Sequence, residues 1–134
     1  MTASGSLIWS NREPPIAISS AAELDRALDQ IAIRLQRDRP IIATLAAHDA
    51  EALIGVGADL SFVQLQSANG DGPYWITSSS TTEPDVVAFW LHGDHHTEVP
   101  RRYLLAPSGA RAALREFLAS GTKLPGIAWV EVGS

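Results

Sequence analysis

Along the chain the apolar residues change their period, and each change marks an element. Leu24, Ala27, Leu28, Ile31 and Leu35 recur at helical spacing, while Arg26, Asp29, Gln30, Arg34 and Arg37 occupy the other faces. Just before this stripe, Ser20-Ala21-Ala22-Glu23 has the form of a capping box, in which a serine hydroxyl and a glutamate three residues on satisfy orphan backbone donors. The spacing predicts a helix that starts at Ser20 and stops before Pro40, whose ring forbids continuation. Ile33 falls opposite the stripe, where it is either a scattered surface residue or part of a contact surface.

From Pro40 to about Leu105 the pattern shortens into runs rich in branched and aromatic residues, at 41–46, 52–56, 61–66, 74–78, 86–91 and 99–105. Between them stand turn-forming groups such as His48-Asp49, Gly57-Ala58-Asp59 and Asn69-Gly70-Asp71-Gly72-Pro73. Connections of this length join neighbouring antiparallel strands. A second helix is predicted from Pro107 or Ser108, with Ala110, Ala113, Leu114, Phe117 and Leu118 as its apolar stripe and Gly121 as its C-cap. After Pro125, residues 127–132 alternate as a last strand, with Ile127, Trp129 and Glu131 on one face and Ala128, Val130 and Val132 on the other. The expected fold is α+β, a mostly antiparallel β-meander sheet with two helices packed on one face. Residues 1–134 are expected to form a single domain, with residues 1–12 poorly tied down.

Composition narrows the chemistry. At 134 residues and 46 % hydrophobic, the chain can build one core without crosslinks. It has no cysteine, so disulfides, thiolate metal sites and a cysteine nucleophile are excluded. A net charge of −5 argues against a nucleic-acid footprint and favours basic partners. No basic region followed by an apolar run opens the chain, and no apolar stretch approaches the roughly 18 residues of a membrane span. A cytoplasmic protein without a membrane partner is the simplest expectation.

The densest polar cluster is His92-Gly93-Asp94-His95-His96-Thr97-Glu98. Imidazoles and carboxylates on either side of a tight turn suit zinc or iron, yet Gly93 and the hairpin context do not give the two helical histidines of a metalloprotease. A solvated hairpin turn is the competing reading. No G-x-S-x-G elbow occurs, and Gly55-Val56-Gly57 lacks the third glycine and following helix of a dinucleotide cradle. The carboxylates Asp94, Glu98 and Glu131 suit solvent or a partner as well as acid–base chemistry. Trp75, Trp90 and Trp129 lie in predicted strands, where core packing competes with a role as binding anchors. No catalytic residue, metal or cofactor is assigned on these grounds, and binding another protein is the expected function.

The segment from Val87-Ala88-Phe89-Trp90-Leu91 through His92 to Pro100, continuing through Arg101-Arg102-Tyr103-Leu104-Leu105-Ala106-Pro107, resembles the Imm1 family of bacterial immunity proteins. The second helix, Ser120-Gly121, Leu124-Pro125 and Ile127-Ala128-Trp129 resemble the family's closing helix, turn and tryptophan strand, and Leu53 to Asp59 its glycine turn. Within the pattern Gly93 matches the turn glycine, Glu98 and Pro100 the Glu-x-Pro element, and Trp129 the closing tryptophan; His95-His96 and Ser120 depart from it. The resemblance covers roughly residues 40–132. It implies an immunity protein, not an enzyme, that neutralises a cognate bacterial toxin, a nucleic-acid deaminase or nuclease with a basic substrate site, by blocking its active site or substrate entry. The contact surface is expected at Asp94, Glu98, His95 and His96, with Asp71 and Trp75 from another connection. Glu98 also has a structural alternative, capping a turn or pairing with Arg101 or Arg102. Two other functions remain open at this point: a small metal-dependent or hydrolytic enzyme using the His92-to-Glu98 cluster, and an oligomeric adaptor whose sheet edge pairs with itself. Monomer and homodimer are both open.

Overall fold

The first helix begins where its capping residues require. In the computed structural model, which describes residues 4–35, 39–69, 72–79, 83–91 and 95–132, α1 spans Ala21–Leu35. The Ser20 hydroxyl accepts the Glu23 N–H at 3.1 Å. The Glu23 carboxylate reaches one residue beyond the usual box, accepting both the Ser19 N–H at 2.7 Å and the Ser19 hydroxyl at 2.6 Å. The second helix, α2, spans Pro107–Ser120 with proline in its first turn. It ends at Gly121, which is left-handed (φ 76°) and donates its N–H to the Phe117 carbonyl at 2.7 Å.

Among the described residues nine strands form one sheet: β1 Gly5–Ile8, β2 Ile16–Ile18, β3 Ile41–Ala47, β4 Ala50–Val56, β5 Val63–Ser67, β6 Tyr74–Ser78, β7 Val86–Leu91, β8 His95–Pro100 and β9 Ala128–Val132. Their order is β2-β1-β3-β4-β5-β6-β9, and the run from β3 to β6 is the expected antiparallel meander. Among the described residues the one departure from antiparallel pairing is β7, which meets β3 in parallel at Ile41↔Trp90 and Ile42↔Leu91. It shares an edge of β3 with β1, which pairs with Thr44 to Ala46.

Alternation along the strands makes two cores. Ala43, Leu45, Ala52, Ile54, Val63 and Leu65 face the helices, where they meet Leu24, Leu28, Ile31, Leu114, Phe117 and Leu118. On the opposite face Ile42, Phe62 and Ile76 meet Phe89, Val99 and Leu104, so the β7–β8 hairpin and the chain that follows it cover this side. Both helices thus lie on one face, as the α+β pattern requires.

Two differences from the sequence expectation are informative. The segment at 1–12, expected to be loose, contributes β1, and Leu7 is fully buried between β2 and β3. With only four and three residues, β1 and β2 are too short to show a period. The strand expected at 99–105 instead runs His95–Pro100 and gives way to a 3-10 turn at Arg101–Tyr103. Its first half is polar in sequence, with His96 exposed, and among the described residues Leu105 makes a single isolated bridge, to Ser61. Ile33 is exposed.

Candidate functional site

The candidate site is the outward face of the β7–β8 hairpin. In β7, Val87, Phe89 and Leu91 point to the second core, leaving Val86, Ala88 and Trp90 on the other side. The register sets Trp90 against His96, Ala88 against Glu98 and Val86 against Pro100. His96 and Glu98 are therefore brought to one surface, two residues apart on one strand, and both are exposed. The Trp90 and His96 rings meet edge to face, with centroids 5.1 Å apart and planes at 67°. The Arg39 guanidinium lies 5.0 Å from the Trp90 centroid, which completes a cation–aromatic–imidazole row at the junction with β3. Trp90 is half-buried against the helix-side core, and its backbone N–H donates to the Pro40 carbonyl at 2.9 Å.

What holds this face in place is packing beneath it. The Phe89 ring lies so close over Gly55 of β4 that a Cβ there would stand 2.6 Å from the ring, and Phe89 meets Phe62 edge to face at 5.3 Å. At the base of the hairpin the Arg101 N–H donates to the Asp85 carbonyl at 2.8 Å, and its guanidinium pairs with Asp85 at 3.3 Å and Glu83 at 3.6 Å. Arg102 turns instead to the Tyr103 ring, 4.8 Å from its centroid. The structural alternative of a Glu98 pair with Arg101 or Arg102 does not occur: among the described residues the Glu98 carboxylate has neither ion pair nor side-chain hydrogen bond.

The remaining sequence candidates are distributed as follows. His92, Gly93, Asp94 and Asp71 lie outside the described residues, and His95 is placed as the first residue of β8. Trp75 is on β6, with β4 and β5 between it and β3, so the structure does not bring it to the hairpin face. It stands on the helix side of the sheet, with the Lys123 Nζ 3.3 Å from its ring centroid. There it lines a shallow depression of about 430 Å³ with Leu65, Pro73, Phe117 and Asp49. Trp129 is half-buried on the same side and donates its indole N–H to the Leu124 carbonyl at 3.1 Å. Pro100 closes β8.

Sequence reasoning missed the Arg39–Trp90–His96 row. Its signal was present: counting outward from the turn at Gly93 pairs Trp90 with His96 once both are assigned to strands. Among the described residues no three His, Asp or Glu side chains converge as a metal set.

The hairpin is thus anchored on one face and presents a carboxylate, an imidazole and a tryptophan edge on the other. The family model described as "Immunity protein Imm1" matches residues 12–131, nearly the whole chain, and the chain belongs to the Imm1 immunity-protein family. No curated protein matches the chain. Among the described residues, no helix is long and apolar enough to cross a membrane.

Proposed function

We propose that the chain protects its host by binding a cognate toxin and covering the toxin's active site or substrate entry, without turnover, through the outward face of the β7–β8 hairpin. The observation that carries this reading is the Glu98 carboxylate, exposed and without an ion pair among the described residues, on a strand whose other face is fixed in the core. A carboxylate so placed meets a partner's basic group with little reordering, which is where charge complementarity gains most. A toxin that is a nucleic-acid deaminase or nuclease needs a basic groove for phosphate, and a chain of net charge −5 is steered toward such a groove. His96 belongs to the same proposed surface; Asp94 and His95 are proposed as further contacts from the hairpin, with Trp75 and Asp71 as proposed contacts elsewhere. The cytoplasm is the proposed site of action, because the toxin's nucleic-acid substrate is there.

The test is co-expression with the product of the neighbouring gene, the proposed toxin. Glu98→Lys and Asp94→Lys are expected to weaken rescue, and to raise the dissociation constant by about tenfold or more for a contact worth at least 1.4 kcal/mol, while the circular dichroism spectrum is unchanged. Undiminished affinity in both variants moves the interface off the hairpin. A neighbouring toxin that still kills in the presence of the wild-type chain removes the pairing itself.

A further inference from the structure

The sheet path ends in two outer strands that differ in how they are finished. β2 has three residues and is preceded by Pro14-Pro15, both exposed, so it offers little backbone to another strand. β9 has five residues, pairs with β6 on one side only, and contains no proline and no basic residue. Val130 at its centre is one of the large apolar side chains left exposed among the described residues. We propose that β9 pairs antiparallel with β9 of a second copy of this chain, about a two-fold axis at Val130. This inference is independent of the toxin-binding reading.

The self-complementarity of the strand selects both the occupant and the register. Centred on Val130, the pairs are Val130 with Val130, Ala128 with Val132 and Trp129 with Glu131 of the partner copy. All five residues are used, and the helices of both copies stay on one side of the joined sheet. On the helix-free face the ladder is wholly apolar: Ala128, Val130 and Val132 against their counterparts. On the helix side each Glu131 carboxylate lies against a tryptophan. A register centred on Glu131 would oppose two carboxylates, and one centred on Trp129 would pair only three residues. The outer edge of β8 is the competitor, but it presents ionisable side chains and ends in Pro100. A contact built on two five-residue strands lies at the small end of interface size, so the dimer is a reversible one. It leaves the hairpin free, because β4, β5 and β6 separate β9 from β3, where the hairpin attaches.

The chain has no cysteine, so Val130→Cys carries the only thiol in each copy. Antiparallel partners stand about 4.5–5.5 Å apart at Cα, within the span of a disulfide. Mild oxidation is expected to link Val130→Cys at least about tenfold faster than Ala128→Cys, Thr97→Cys or Ser120→Cys, because pairing holds only the first pair of thiols at high effective concentration. In sedimentation equilibrium the unmodified chain is expected to gain mass with concentration, whereas Val130→Lys stays monomeric and still rescues cells from the toxin. Equal cross-linking at all four positions, or preferential linking through Thr97→Cys, overturns the proposal. So does an unmodified chain whose mass matches that of Val130→Lys at every concentration.

Discussion

His48 and Asp49 make the two-residue turn between β3 and β4 with both φ angles positive, at 54° and 59°. Such a turn favours glycine or asparagine, since a left-handed L-residue costs about 1–2 kcal/mol. For His48 there is compensation: Nε2 lies 2.7 Å from the Leu118 carbonyl, at the end of α2 where carbonyls lack helical partners, and the ring meets Phe117 edge to face. Gly121 makes room for that ring, since a Cβ there would be 3.0 Å from it. Asp49 is exposed and has no such anchor among the described residues. Asp49→Gly is therefore expected to raise stability by about 0.5–1 kcal/mol, read as a higher midpoint in urea. Glu23 gives the contrasting case, a residue whose charge matters. Its hydrogen bonds from the Ser19 side chain and backbone hold its carboxyl below the ordinary value of 4.5. A folded-state value below the unfolded one means that the contribution is complete above 4.5 and is lost as pH falls through the lowered value. Thermal melts across pH should show wild type above Glu23→Gln at neutral pH, with the gap closing in acid; a gap that persists unchanged in acid would assign it to something other than the charge.

At the scale of elements, the contact that positions the hairpin is Phe89 on Gly55. The glycine is not required by its backbone angles; the ring occupies the space a side chain would take. Gly55→Ala should cost about 1–3 kcal/mol by overpacking. Adding Phe89→Leu should return at least about 0.5 kcal/mol of coupling, because the shorter side chain relieves the clash. Strict additivity in denaturant titrations would mean that the two residues do not oppose each other across the face. This contact also marks the limit of what was legible beforehand. The helices were readable because each carries a full apolar stripe with a start signal, Ser20 or Pro107, and a stop signal, Pro40 or Gly121. Strands β6 and β7 were readable to the residue, being bounded by Pro, Gly and Asp. Period two says which residues share a face, but not what that face rests on. Gly55 therefore looked like turn chemistry, and Phe89 like one more strand aromatic.

Taken as one molecule, the protein has its meander, both helices and their common face written in local patterns, while the return of β7 to β3 is not. That pairing sets Ile41 against Trp90 and Ile42 against Leu91, and nothing near either residue of a pair announces the other. The candidate site inherits the same division. Glu98 and His96 were visible as a polar cluster, but Arg39 enters their surface only because β7 lies beside the start of β3. The divided edge of β3 has a consequence for synthesis. On the ribosome, β1 and then β4 emerge in time to pair with β3, whereas the Ile41–Ile42 half of its outer edge waits for Trp90 and Leu91, about fifty residues later. At roughly 5–20 residues per second this leaves an apolar edge without its strand for about 2–10 s, long enough for chaperones to engage the nascent chain.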